Sequence, residues 1–154
     1  MRFRIKNLDK YIRQLENISN PYAVDAYVRK AIENGAQIVN QASLSALSSL
    51  PVDNRPYVKE GRTSIMQVQK DALLGSFGVS PIEDRNGFVN VKTGVARGKN
   101  KLGQAHVTIA RRLESGTSYM PKRPVISRAS RKSRKPCIEE MQRTLTQEIR
   151  RLMR

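Results

Sequence analysis

Histidine and cysteine occur once each, as His106 and Cys137. Together they are the minimum for a thiolate nucleophile with an imidazole base, but they stand far apart in the chain. Cys137 follows a basic run and lies near an expected helix start, surroundings that lower a thiol pKa. An idle or buried cysteine is the plainer interpretation. A single cysteine excludes an intramolecular disulfide and any zinc site built from paired cysteines. One histidine leaves almost nothing for metal ligation or acid–base work. Gly94-Val-Ala-Arg-Gly98-Lys99-Asn100 has the outline of a phosphate-binding loop. It fails twice, because the glycines are too close together and Asn100 stands where the magnesium-binding hydroxyl belongs. Glu83-Asp84 and Glu139-Glu140 are adjacent acids. Helical neighbours diverge by about 100°, so Glu139 and Glu140 cannot share a substrate atom. Both pairs suit turn and helix-start positions. No enzyme, cofactor or metal site is expected from these residues.

The charges point elsewhere. The chain has 154 residues, with 29 Lys plus Arg against 13 Asp plus Glu and a net charge of +16. Hydrophobic residues make up 38 % and aromatics 5 %, with no Trp, so the core supply is thin. A chain of this length still buries roughly two thirds of its unfolded surface. Its composition is too apolar for a disordered polymer. No apolar run approaches the ~18 residues that span a bilayer, so no membrane partner is expected. The segment Met1–Lys10 lacks the apolar stretch of a secretory leader.

Residues 97–154 hold 16 basic and 4 acidic side chains, whereas residues 1–96 hold 13 and 9. The densest tract is Lys122, Arg123, Arg128, Arg131, Lys132, Arg134 and Lys135, with no acid among them. Like charges this close repel one another unless they are solvated or met by a counter-charge. A solvated arm satisfies that condition, and so does contact with nucleic acid or an acidic protein surface. Base stacking has no platform, since Tyr119 is the only aromatic between Arg97 and Arg154. Any DNA contact would be to phosphate and indifferent to sequence.

The elements that must position these residues follow from periodicity. One domain is expected over residues 1–154. Its class is α+β, a long N-terminal helix and a C-terminal amphipathic helix packed on a small antiparallel sheet. Arg2–Lys6 alternates like an edge strand, and Leu8, Ile12, Leu15 and Ile18 suit a short helix capped by Asn7 or Asp9. Asn20-Pro21 reads as a helix start. Val24, Val28, Ala31, Gly35, Ile38, Ala42, Ala46 and Leu50 then form a helical stripe up to Pro51. The small residues in its second half suit close packing, within the domain or against a neighbouring copy.

Pro51–Thr63 reads as a loop, and Ile65, Val68 and Ala72 as a helix ending near Gly75 or Gly78. Asp84–Gly87 suits a turn and Phe88–Val95 one half-buried strand. Gly94–Gly103 suits a loop. Ala105–Glu114 is expected as a helix, although Val107, Ile109 and Arg111 also alternate. Pro121 and Pro124 force an extended path, giving a basic arm over about residues 119–135. The last helix is expected to start near Pro136, with Glu139 and Glu140 in its first turn and Arg150, Arg151 and Arg154 in its last. Ile138, Met141, Leu145, Ile149 and Leu152 would be its buried stripe, and Glu139 would pair with Arg143.

The segment Ala110–Ala129 carries more than composition. Glu114, Gly116, Thr117, Ser118, Pro121, Pro124, Arg128 and Ala129 match an "E-x-G-T-S … P-x-x-P-F … R-x-A" pattern, with Val125 in place of the usual Phe. The pattern resembles that of the neck or tail-completion (head–tail joining) proteins of long-tailed phages and prophages. The order of the other elements fits too: a long helix ending at a proline, then Gln69–Leu74, then Asn86–Lys92, then a terminal amphipathic helix.

The resemblance implies a structural virion protein and no catalysis. It implies a homo-oligomeric ring, commonly sixfold, between head-connector and tail-tube or tail-terminator proteins, with phage DNA passing through the centre. It places Glu114, Gly116, Thr117, Ser118, Pro121 and Pro124 in a loop at a subunit boundary. The basic arm from Lys122 to Lys135 would dock on acidic surfaces of neighbouring proteins. The rival class is a small basic protein that binds nucleic acid without sequence preference.

Overall fold

Pro21 opens α1 (Pro21–Ser48), a position where a missing N–H costs nothing. The computed structural model describes residues 21–55, 61–85 and 88–152. The strand expected at Arg2–Lys6, the helix expected over Leu8–Ile18 and the Asn20 cap lie outside them. α2 (Gln67–Ser76), β1 (Phe77–Val79), β2 (Glu83–Arg85), β3 (Phe88–Asn90) and β4 (Thr93–Val95) follow. α3 (His106–Ser115) and α4 (Val125–Leu152) complete the order. The class is α+β, with two long helices packed on small antiparallel pairings. The helix expected over Ala105–Glu114 is α3.

Phe88–Val95 is two strands, not one. β1 pairs antiparallel with β4, Phe77 opposite Val95, while β2 pairs with β3, Glu83 opposite Asn90. Asp84 and Arg85, expected in a turn, belong to β2. Between the two ladders, one side of the hairpin carries Ser80, Pro81 and Ile82 and the other only Val91 and Lys92. Pro81 has no N–H for a ladder, and the extra residue breaks the register like a bulge. Ser80 holds the two sides together there. Its N–H donates to the Lys92 carbonyl at 2.7 Å and its Oγ accepts the Lys92 N–H at 3.0 Å.

α1 and α4 run antiparallel along a seam of small and polar side chains. Lys30 pairs with Glu148, and Asn34 Nδ2 donates to Thr144 Oγ1 at 3.1 Å. A Cβ added at Gly35 would stand 2.7 Å from Met141 Cγ and 3.1 Å from Cys137 Sγ, so glycine sets how closely the helices approach. From the expected α1 stripe, Ala31 is buried and Val24 is exposed. A second line, Ala36, Ser43 and Leu47, is buried as well, because α1 also contacts α2 and strands β1, β3 and β4.

The apolar stripe of α4 is only partly the face that it buries, with Met141 against Gly35. Ser133, Thr144 and Glu148 are buried, while Ile138 and Ile149 remain 44 % and 42 % exposed. The two lines lie roughly 100° apart around the helix. At Gly35 the helix approach is filled by the unbranched side chains of Met141 and Cys137, while Ile138 and Ile149 turn away from it.

The hydrophobic core sits where the C-terminal end of α1 meets α2, β1 and α3. Leu47, Leu50, Ile65, Leu73, Phe77, Ile109 and Leu113 form it, with Met120, Val125 and Ile126 packed against its edge. The α3–α4 connection is thereby clamped to the core, and most of α4 extends away along α1.

Candidate functional site

α4 begins at Val125, not near Pro136. The basic tract is therefore an extended segment only as far as Pro124 and a helix beyond it. Pro136 lies inside the helix and leaves the Lys132 carbonyl without its usual donor. The seam with α1 runs past this point on both sides, through Ser133 and Cys137, and keeps the helix continuous. Glu139 and Glu140 are mid-helix residues, and Arg143 pairs with Glu140 at 2.8 Å. Arg150 and Arg151 occupy the last turn as expected.

What starts the helix at Val125 is a carboxylate from α3. Pro124 has no capping side chain. Glu114 supplies the missing acceptor: its Oε1 takes the Ile126 N–H at 2.7 Å and its Oε2 takes the Ser127 N–H at 3.2 Å. The Ser127 hydroxyl also donates to Glu114. The first turn of α4 holds no acid of its own, so Glu114 also provides the negative charge that the helix dipole favours.

The intervening loop is held at each step. Gly116 ends α3 at φ +76°, donating to the Arg112 carbonyl at 2.8 Å. Thr117 and Met120 bridge each other, and Thr117 Oγ1 accepts the Tyr119 N–H at 3.2 Å. The Arg123 N–H returns to the Leu113 carbonyl at 2.7 Å. The residues Glu114, Gly116, Thr117, Pro121 and Pro124 thus form one joint between α3 and α4. Ser118 is exposed at its tip.

A second loop braces this joint. The Arg62 N–H donates to the Tyr119 carbonyl at 2.7 Å, and Arg123 Nε donates to the Thr63 carbonyl at 3.0 Å. Asp53 anchors that loop from within. It accepts the Thr63 N–H and the Arg55 guanidinium, both at 2.8 Å, and is 6 % exposed. The Arg55 hydrogen bond, with the Thr63 N–H, holds its carboxyl far below the usual carboxylate range.

The seven basic residues divide by role. Arg123 is half-buried and serves the joint, while Lys122 is exposed. Arg128, Arg131, Lys132, Arg134 and Lys135 are exposed on the first three turns of α4. Among the described residues an ion-pair partner for these five is found only for Lys135, Glu139 at 3.9 Å. The positive end of the helix dipole and five cations therefore share one surface, a repulsive arrangement that an anionic partner relieves.

Cys137 is no activated nucleophile. It lies in mid-helix against Gly35, and burial pushes its thiol pKa up. Among the described residues no cluster of three or more His, Cys, Asp or Glu could hold a metal ion. None of their helices is long and apolar enough to cross a membrane.

The fold also brings together residues that sequence spacing does not connect. Arg62, Gln69, Gln104 and Arg112 line a cavity of about 560 Å³ between the starts of α2 and α3 and the Thr117–Met120 turn. They come from four segments, and no motif marks them as neighbours. No protein-family model, no curated protein and no solved structure matches this chain.

Proposed function

We propose that the chain is a non-catalytic structural virion protein that joins head to tail in a long-tailed phage or prophage particle. Copies assemble into a closed ring, a hexamer by the family likeness, between head-connector and tail-tube or tail-terminator proteins. Phage DNA passes through the ring without sequence recognition. The protein acts at the virion neck, which it reaches from the host cytoplasm during assembly.

The observation that carries the proposal is the α3–α4 joint. The residues of the phage-type pattern are neighbours in one hydrogen-bonded unit, which presents the exposed basic turns of α4 to solvent. A ring closed by rotation needs two different complementary patches on each subunit. The basic turns of α4 offer one, suited to an acidic surface on an adjacent protein. A rigid helix also presents its charges in a fixed array, at less entropic cost than a mobile arm.

The same array favours the rival class, since phosphate accepts the same cations. Light scattering at low and physiological salt, with and without duplex DNA, separates the two. A discrete ring, or a chain indifferent to duplex at physiological salt, supports head–tail joining. A monomer that binds duplex tightly and releases it steeply with salt supports nucleic-acid binding. In particles, Arg131→Glu with Lys132→Glu is expected to leave heads and tails unjoined. Normal joining by that variant removes the docking role of α4.

A further inference from the structure

Among the described residues, the lining of the cavity between α2, α3 and the Thr117–Met120 turn includes Arg62 and Arg112 and no carboxylate. Neither guanidinium has an acidic or hydrogen-bonding partner among the described residues. The neutral polar groups are also biased. Gln69 Oε1 is occupied by the Met66 N–H at 3.0 Å. Gln104 Oε1 accepts Gln69 Nε2 at 2.8 Å and Asn100 Nδ2 at 3.1 Å. Thr117 Oγ1 is occupied by the Tyr119 N–H. The side-chain amide oxygens are engaged, while two guanidinium forks and the Gln104 amide NH₂ remain on offer as donors.

Backbone geometry adds the same sign. α2 begins at Gln67 and α3 at His106, so the Gln69–Gln104 hydrogen bond joins the N-terminal ends of two helices at this cavity. Their N-caps, Met66 and Ala105, carry no side-chain oxygen. The first N–H groups are taken by neutral oxygens, Gln67 by Asn54 Oδ1 at 2.8 Å and His106 by the Gly98 carbonyl at 3.0 Å, and neither first turn holds an acid to offset its dipole. Beneath the donors lies an apolar floor, Ile65, Ile109 and Met120. The volume, about 560 Å³, is that of an ordinary ligand pocket.

We propose that this cavity binds an acidic peptide segment of a partner chain, with a carboxylate held by Arg62 and Arg112 and an adjoining aliphatic side chain on the apolar floor. Two planar guanidinium forks match carboxylate geometry. A free phosphate would use the forks but leave the Ile65–Ile109–Met120 floor bare. An acidic residue beside an aliphatic one uses both. The inference stands apart from the ring proposal, since it needs only a partner segment of this chemistry.

The test is fluorescence anisotropy on the full chain at physiological salt. The probe is a labelled hexapeptide alternating Asp with Leu, and its control has Asn in place of Asp. The wild-type chain is expected to bind the Asp peptide and not the Asn peptide. Arg62→Gln with Arg112→Gln should weaken binding about tenfold or more. Arg112→Gln alone, at an exposed side chain, should weaken it in the same direction without disturbing the fold. Arg97→Gln with Lys101→Gln, two exposed cations outside the cavity, should leave it unchanged. Equal losses in both double variants would mean diffuse attraction to a basic protein and would overturn the proposal. Unchanged binding in the cavity variants overturns it too, as does displacement of the peptide by inorganic phosphate at matched concentration.

Discussion

Glu114, in the last turn of α3, caps the start of α4 by taking the Ile126 N–H at 2.7 Å across the intervening loop. A capping side chain is normally the residue just before the helix, and here that residue is Pro124, which cannot serve. One carboxylate thus sets both where α4 begins and how α3 is joined to it. Glu114→Ala is expected to cost about 1 kcal/mol, the usual worth of a cap. Thermal melting should register this, and amide exchange at Ile126 and Ser127 should speed up more than in the rest of α4. Unchanged protection there would show that the cap is not what starts the helix.

Gly116 and Gly75 should respond oppositely to alanine. Gly116 has φ +76°, and a Cβ there would stand 2.7 Å from the Lys122 backbone nitrogen. That clash is with backbone, so Gly116→Ala is expected to destabilise by more than ~1 kcal/mol. Gly75 lies in α2 with nothing within 4 Å of an added Cβ. Gly75→Ala should stabilise by about 0.5–1 kcal/mol through helix propensity. Urea denaturation of the two variants gives the comparison.

The α1–α4 approach at Gly35 should behave as a coupled pair with Met141. Gly35→Val forces a branched side chain onto Met141 Cγ and Cys137 Sγ. The expected cost is about 1–3 kcal/mol, the range for overpacking. Met141→Ala, which removes the nearest atoms, should recover part of that loss when combined with it. A double-mutant cycle with no coupling energy would contradict this helix register.

Acid should loosen the loop that braces the joint. Asp53 has its folded pKa far below its unfolded value of about 3.9, chiefly through the Arg55 hydrogen bond. A depressed carboxylate stabilises the fold above the unfolded pKa and loses that contribution as pH falls toward the folded one. Asp53→Asn is therefore expected to be less stable than wild type at pH 7. The gap should narrow as pH falls below about 4. Glu140 and Glu148, lowered by Arg143 and Lys30, carry the same sign. Chemical denaturation of wild type and variant across that range is the measurement, and a gap independent of pH contradicts the assignment.

Much of the local structure was legible because it depends on neighbours in sequence. Pro21 and the three- and four-residue spacing of Val28, Ala31 and Gly35 mark α1, and Gly116 with its following polar turn marks the end of α3. The separation of charge is legible as well. The start of α4 was not, because it hangs on a carboxylate twelve residues away from Ile126 that replaces the local cap. The split of Phe88–Val95 was not, because the interruption comes from Pro81 on the opposite side of the hairpin.

The sequence by itself determined the α+β class, the long helix that opens at Pro21, an amphipathic helix toward the C-terminal end and the crowding of cations after Arg97. These are properties of periodicity and composition, which need no partner. Tertiary structure decided which face of α4 is buried. Hydrophobicity nominated Ile138 and Ile149, but packing against α1 turns Cys137 and Met141 onto Gly35, and Ser133, Thr144 and Glu148 are buried instead. It also decided that the basic tract is a rigid helix from Val125 onward, and that Arg62 and Arg112 share one cavity. The physical reason is common to all three. Each depends on distance between segments remote in the chain, and periodicity carries no information about that distance.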